Sequence, residues 1–160
     1  MAHHILPELN IDWIKNMKNC LLIRHPSDVI LSYLKKNEIN SIQQLGYLQQ
    51  INIYKILTQE MGNSPIIIDA QDLLSEPKNM LVEICKNLGI KFDNKMLSWP
   101  SGVRKTDGIW GKYWYKQVVG STGFKPYTKT HRMIPPKYRS LYDECMQYYD
   151  FLYQNRIILN

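Results

Sequence analysis

Short apolar runs and apolar series with helical spacing alternate along the first half of this chain. Two runs, at residues 20–23 and 65–69, are almost wholly apolar, which is typical of strands buried on both faces. Between them, apolar side chains recur every three or four residues from Ile42 to Met61, and Gly62 follows. This order of strand, helix and strand predicts a parallel pair joined by a right-handed crossover.

The second half contains two more helical patterns and one stretch without periodicity. Pro77 is placed to open a helix and Gly89 to end it. Residues 98–130 hold five glycines and three tryptophans, a composition that predicts an ordered loop, and a final helix follows prolines 135 and 136. Because no interdomain linker separates these elements, the sequence predicts a single α/β domain over residues 1–160.

Composition agrees with a globular protein. The chain has 160 residues, of which 44% are hydrophobic and 21% are charged. No apolar run approaches the roughly 20 residues that a membrane helix needs, and the N-terminal residues lack the features of a signal peptide. Cys20, Cys85 and Cys145 lie in apolar segments, so we expect buried reduced thiols and a reducing, cytoplasmic location.

Positive charge is concentrated in one segment. The net charge is +6, and residues 104–139 hold nine Lys and Arg residues against one acidic residue, Asp107. This excess favours an anionic partner. Nucleic acid is one candidate, because the interleaved tyrosines and tryptophans can stack on bases, and a polyanionic nucleotide is another. A solvated basic face without a partner is the third interpretation.

The most informative chemistry lies where the first apolar run ends. Arg24 ends that run, and Pro26, Ser27 and Asp28 supply the residue types that begin a helix. We therefore expect a cation beside free backbone N–H groups, which suits a phosphate. Ser32, one helical turn after Asp28, adds a hydroxyl donor. The alternative is an ordinary strand–helix turn in which Arg24 pairs with a surface carboxylate.

The spacing of Arg24, Pro26, Ser32 and Tyr33 resembles the 3′-phosphate-binding segment of the sulfotransferase family. Those enzymes take a sulfuryl group from 3′-phosphoadenosine 5′-phosphosulfate (PAPS) and leave adenosine 3′,5′-bisphosphate. The resemblance implies a doubly wound parallel sheet of the P-loop NTPase-like, sulfotransferase type. It also implies that Arg24 and Ser32 bind the 3′-phosphate of the nucleotide.

A second part of the resemblance lies in the basic segment. The family has a late Arg-Lys-Gly loop, followed by Gly and Trp, which closes over the same phosphate. Arg104 and Lys105 match it, Thr106 replaces the glycine, and the loop is one residue shorter here. The resemblance implies that Arg104, Lys105 and Thr106 bind the cofactor, with Thr106 donating its hydroxyl or its backbone N–H.

The family's other phosphate site has no counterpart in this sequence. It is a loop with Lys and Ser or Thr that holds the 5′-phosphosulfate, and no Gly-x-x-x-x-Gly-Lys-Ser/Thr motif or similar loop occurs here. We therefore expect residues 1–160 to be the C-terminal portion of a sulfotransferase-like domain, with a sheet that is incomplete at the N-terminus. The alternatives are that another chain supplies the remainder or that the protein has lost the chemistry. An incomplete sheet exposes an edge and an apolar face, so we also expect self-association.

A histidine precedes the phosphate-binding arginine at a spacing that the family also has. His4 lies 20 residues before Arg24 and is followed by Ile-Leu-Pro, which resembles the sequence after the family's catalytic base. A histidine suits that role because its pKa lies near working pH. The resemblance implies that His4, or else His3, deprotonates the acceptor. A frayed terminus or a tag remnant is the alternative.

Three functions stay open at this point. The first is sulfuryl transfer from PAPS to a hydroxyl or amine of an unidentified small-molecule or glycan acceptor. The second is a non-catalytic member of the same fold that binds a nucleotide or a partner protein. Single-stranded nucleic-acid binding is the least favoured, because it leaves Arg24 and the buried strands without a role. No metal is expected, since no ligand cluster has suitable spacing, and no membrane association is expected.

Overall fold

The computed structural model describes residues 2–5, 8–62, 64–109, 111, 116–128 and 133–159, without the side chains of His3, Met61, Lys116 and Gln117. The chain divides into two compact units. The first contains residues 1–71 and 128–158, and the second contains residues 72–127. The expectation of one domain over residues 1–160 stays a prediction.

The first unit is built on a small parallel sheet. Strand β1 (Cys20–Ile23) pairs with strand β2 (Ile66–Asp69), and Cys20 aligns with Ile66. The predicted parallel pair is therefore confirmed. Within the described residues the sheet has these two strands, so the structure shows a mixed α/β fold with a two-stranded parallel sheet.

Strand β1 is buried on one face, and the prediction that both of its faces are buried was wrong. Leu21 and Ile23 are buried, whereas Cys20 is exposed and Leu22 is 55% exposed. Side chains alternate between the faces of a strand, and only one face of β1 is covered by the described residues. The buried-thiol prediction thus fails for Cys20 and is confirmed for Cys85 and Cys145. Self-association stays a prediction.

The connection between the two strands is helical but contains a break. Helix α1 (Pro26–Tyr33) follows β1, a 3₁₀ turn occupies Ile42–Leu45, and helix α2 (Tyr47–Met61) leads to Gly62. The apolar series from Ile42 to Met61 had predicted one helix. It is two elements, because Gly46 between them adopts a left-handed backbone conformation with φ of 84°.

Substitution of Gly46 by alanine should destabilise the first unit by about 1–2 kcal/mol, because a Cβ disfavours the left-handed region. Urea unfolding of the wild type and of Gly46→Ala measures this difference. Gly62→Ala is the matched variant, since Gly62 also has a positive φ but stands in open space. The loss of stability in Gly62→Ala measures the backbone cost alone, and Gly46→Ala should lose at least as much. Unchanged stability of Gly46→Ala would contradict the prediction.

Most of the core of the first unit lies between the sheet and the helices. Helix α6 (Arg139–Gln154) contacts α1, α2 and both strands. The predicted final helix after the two prolines is thus confirmed. The buried side chains of this core are Ile14, Leu21, Ile23, Ile30, Ile39, Leu45, Tyr47, Ile51, Ile53, Leu57, Ile67, Cys145, Tyr149 and Leu152.

The helices that lead into and through the second unit follow the sequence signals. Helix α3 (Ala70–Ser75) follows β2 directly, and the chain enters the second unit at Asp72. Helix α4 (Pro77–Leu88) has proline in its first turn, and Gly89 ends it with a φ of 68°, as predicted. Beyond it lie a 3₁₀ turn at Asn94–Met96 and the short helix α5 (Lys116–Val119).

Candidate functional site

Arg24 stands immediately beyond the carboxyl end of β1, where the sequence predicts an anion site. Its side chain is 51% exposed, and its Nε lies 3.5 Å from Oδ2 of Asp28, whose side chain is only 9% exposed. This is an ion pair longer than a hydrogen bond, and it engages one nitrogen of a group with five N–H donors. The guanidinium is therefore oriented by Asp28 and keeps donors for a ligand.

The start of α1 differs from the expectation of free backbone N–H groups, which was wrong. The backbone N–H of Ser27 donates to Nδ1 of His25 at 3.3 Å, and those of Asp28 and Val29 donate to the His25 carbonyl at 3.0 and 3.3 Å. Residue 26 is proline and has no N–H. His25 thus caps this helix itself, and anion binding here depends on side chains.

The main chain of Arg24 is tied to the start of α2. The hydroxyl of Tyr47, the first residue of that helix, donates to the carbonyl oxygen of Arg24 at 2.7 Å. Tyr47 is 2% exposed, and burial raises the pKa of its hydroxyl well above the usual range. The hydroxyl therefore stays protonated and remains a donor.

A buried carboxylate marks the carboxyl end of the neighbouring strand. Asp69, 2% exposed, accepts a hydrogen bond from the Tyr149 hydroxyl at 2.9 Å and one from the Gln71 backbone N–H at 2.8 Å. The His25 ring lies edge-on to the Tyr149 ring, with centroids 5.4 Å apart. Burial and the adjacent Asp69 together raise the pKa of Tyr149, so its hydroxyl also stays a donor.

Sequence reasoning missed these supporting residues. A helix-start signal was present at Pro26, and it could have identified His25 as the capping residue. No local signal pointed to Tyr47, Asp69 or Tyr149, because their contacts join segments that are 23 and 80 residues apart.

Two further sequence-predicted residues lie in the first unit. Ser32 is exposed on α1, one turn after Asp28. His4 is exposed in a 3₁₀ turn, Ala2–His4, and this turn contacts α2 and the turn Ile42–Leu45. Helix α1 contacts that same turn at 42–45. The His4 turn and the Ser32 helix therefore flank one element, whereas the side chain of His3 is outside the described residues.

The other predicted cofactor residues lie in the second unit. Arg104, Lys105 and Thr106 are all exposed. The backbone N–H of Arg104 donates to Oδ2 of Asp107 at 2.8 Å, and the backbone N–H of Asp107 donates to the Arg104 carbonyl at 3.1 Å. These two bonds close a tight turn, and Gly108, the residue after it, has a φ of 66°. The turn presents two cations and a hydroxyl to solvent.

The loop that carries this turn is closed at its base. Ser98 and Gly123 form an antiparallel bridge. Between them in the chain, Trp99 donates from Nε1 to Oγ of Ser121 at 3.1 Å, and its ring packs edge-on against Phe124. In its described part, the segment of residues 98–130 is a loop with a closed base, as the composition predicts, but it also contains the short helix α5. The other two tryptophans of that prediction, at positions 110 and 114, lie outside the described residues.

The described residues contain neither a membrane-spanning helix nor a metal-binding cluster. No helix there is long and apolar enough to span a membrane. No group of three or more His, Cys, Asp or Glu side chains in this part of the chain is arranged to hold a metal ion.

The fold and the site define an α/β protein with an arginine at the carboxyl end of a parallel strand and a second basic turn. A family model described as a sulfotransferase domain matches residues 1–152. The chain therefore belongs to the sulfotransferase domain family, which supports a sulfotransferase-like role.

Two relatives come from Arabidopsis thaliana. They are named branched-chain-amino-acid aminotransferase-like proteins 2 and 1, and they are 35% and 36% identical to this chain over 135 residues. The match covers 84% of this chain and 24% of each relative. The chain thus spans less than a third of the length of these relatives. No solved structure matches the chain significantly.

Proposed function

We propose that this chain binds the 3′-phosphate of PAPS and of adenosine 3′,5′-bisphosphate, as part of a sulfotransferase. One observation carries the proposal. Arg24 lies at the carboxyl end of a parallel strand, half exposed, with its guanidinium oriented by the nearly buried Asp28. Ligands of α/β proteins bind at the carboxyl ends of such strands, and a guanidinium fork matches the oxygens of a phosphate.

The remaining cofactor residues have complementary roles in this proposal. Ser32 adds a neutral hydroxyl donor from α1, so that the phosphate receives a charged and an uncharged donor. Arg104 and Lys105 supply further positive charge from an exposed turn, and Thr106 adds a hydroxyl. Because the backbone N–H groups at the start of α1 are occupied by His25, these side chains carry the recognition of the phosphate.

For the reaction, we assign His4 the role of base. When bound, PAPS supplies an activated sulfuryl group. The imidazole of His4 would take the proton of an acceptor hydroxyl or amine as the sulfuryl group passes from the 5′-phosphate oxygen to that oxygen or nitrogen, and adenosine 3′,5′-bisphosphate would leave. The contact of the Ala2–His4 turn with the element that α1 also contacts supports this role. His3 is the second choice. The acceptor is a small molecule or a glycan.

The architecture is part of the proposal. We propose that residues 1–160 are the C-terminal portion of a doubly wound, P-loop NTPase-like sulfotransferase domain. The two parallel strands with helical connections support it. In this proposal the residues that bind the 5′-phosphosulfate lie outside residues 1–160, because this sequence contains no Gly-x-x-x-x-Gly-Lys-Ser/Thr motif or similar loop. That absence also favours the second candidate, a non-catalytic nucleotide-binding member of the fold.

Binding of single-stranded nucleic acid has less support. It requires exposed aromatic rings in the loop of residues 98–130, which carries much of the positive charge and is called the basic loop below. Trp99, which precedes the basic segment and lies at the base of the loop, is half-buried, packs against Phe124 and is hydrogen-bonded to Ser121. An aromatic ring held in this way supports the loop instead of offering a face to a base.

Calorimetric titration of the chain tests the proposal. Adenosine 3′,5′-bisphosphate should bind at least tenfold more tightly than adenosine 5′-monophosphate, which lacks the 3′-phosphate. A single-stranded RNA oligomer at equal phosphate concentration should bind no better than the monophosphate. Equal affinity for the two nucleotides would overturn the 3′-phosphate assignment. Tighter binding of the RNA would favour the nucleic-acid function.

A further inference from the structure

The carbonyl of Arg24 lies just outside the sheet ladder, whose paired residues end at Ile23 and Asp69. A carbonyl at this point has no partner in the ladder and is free to accept a hydrogen bond from another part of the chain. The donor is the hydroxyl of Tyr47, 23 residues further along the chain, at 2.7 Å. This bond joins the carboxyl end of β1 to the first residue of α2.

The donor side of this bond is firmly held. Tyr47 is almost completely buried in the core of the first unit, so its ring has little freedom to move. Gly46, in the left-handed conformation, sets the direction in which α2 begins. The burial that raises the pKa of the Tyr47 hydroxyl also keeps its proton in place through neutral pH.

Arg24 therefore has a contact at its main chain and another at its side chain. Tyr47 holds its main chain, and Asp28 contacts Nε of its side chain. An arginine without such supports has many rotamers and loses that freedom when it binds a ligand. Supports that exist before binding reduce this loss.

We propose that Tyr47 is a positioning residue for the phosphate-binding arginine, a role that rests on the function proposed above. The hydroxyl of Tyr47 fixes the backbone from which the Arg24 guanidinium reaches the 3′-phosphate. Tyr47 itself does not contact the nucleotide. Its removal should affect recognition of the 3′-phosphate and leave recognition of the rest of the nucleotide unchanged.

The test measures the ratio of two affinities for the chain and for Tyr47→Phe, which removes one oxygen atom. The ligands are adenosine 3′,5′-bisphosphate and adenosine 5′-monophosphate. We expect the preference for the bisphosphate to fall about fivefold, the usual effect of one neutral hydrogen bond. A merely structural role would lower the fraction of folded protein or both affinities together. It would leave the ratio unchanged, and that result would overturn the proposal.

Tyr54→Phe is the matched control. Tyr54 lies on the same helix, and its hydroxyl donates to Asn155 at 3.4 Å, away from Arg24. This variant should keep the wild-type ratio. In an Arg24→Ala background, Tyr47→Phe should cause no further loss of the ratio, because the group it positions is gone. An equal loss in both backgrounds would show that Tyr47 acts independently of Arg24.

If Tyr47→Phe does not fold, a second pair of variants at position 47 tests the same proposal. With 4-aminophenylalanine in place of Tyr47, a donor remains at the para position and the wild-type ratio should persist. With 4-fluorophenylalanine the size is similar and the donor is lost, so the ratio should fall. Equal ratios for this pair would overturn the inference. If the wild type itself does not prefer the bisphosphate, the proposed function fails instead.

Discussion

Replacement of Arg24 by alanine should weaken binding of adenosine 3′,5′-bisphosphate by about 2 kcal/mol, or roughly 30-fold, with the fold unchanged. The loss is that of charge-assisted hydrogen bonds to a phosphate. The side chain is half exposed and makes one long ion pair, so its removal leaves no cavity in the core. Titration calorimetry gives the affinity, and circular dichroism verifies the fold.

Arg24→Lys should also bind the bisphosphate more weakly than the wild type, because an ammonium cannot reproduce the two-pronged contact of a guanidinium. Arg139→Ala is a closely matched control. Arg139 is exposed and pairs through Nε with Asp143, four residues later, at the same distance of 3.5 Å. Its loss removes the same charge and an i, i+4 ion pair of the same length, together with a contact of the guanidinium with the Tyr142 ring. Equal affinities of the wild type and Arg24→Ala would refute the assignment of the phosphate site.

The second large effect concerns stability. Tyr149→Phe should lower the free energy of unfolding by about 2 kcal/mol, since the buried Asp69 carboxylate loses one of its donors. The bond joins β2 to α6 across 80 residues of sequence. Phenylalanine keeps the ring against His25, so the packing changes little. Urea unfolding of both proteins measures the difference.

Tyr148→Phe provides the control for that experiment. Tyr148 is the preceding residue on α6 and is half-buried, and no hydrogen bond to its hydroxyl is seen within the described part of the chain. Loss of the Tyr148 hydroxyl should change the free energy of unfolding by less than about 0.5 kcal/mol. If both variants lose the same stability, the hydroxyl of Tyr149 is not what stabilises Asp69.

Local signals predicted much of the fold. Proline at the start of α4 and glycine after α2 and α4 act within one helical turn, and the structure has these boundaries. Two predictions failed, the first for a local reason and the second for a reason that is not local. Periodicity continued across Gly46, although that glycine breaks the helix. The apolar character of β1 suggested two buried faces, but burial depends on what packs against a strand.

The candidate site could also be predicted only in part. The position of Arg24 after a strand and before a helix could be predicted, because it follows from the order of residues. Its pairing with Asp28 is an i, i+4 contact and lay within reach of the sequence. The role of His25 as the cap follows from contacts within one helical turn, whereas the role of Tyr47 as the donor to Arg24 depends on how the chain folds back on itself. A contact between distant segments produces no periodic pattern in the sequence.

The closed base of the basic loop bears on how this loop can vary in evolution. The bridge between Ser98 and Gly123, reinforced by Trp99, joins the two ends of the loop. Closing a flexible loop costs only about 0.6 kcal/mol more for each doubling of its length. Insertions and deletions near Thr106 should therefore leave the second unit stable. The one-residue shortening that the resemblance implies would be a change that such a base can accommodate.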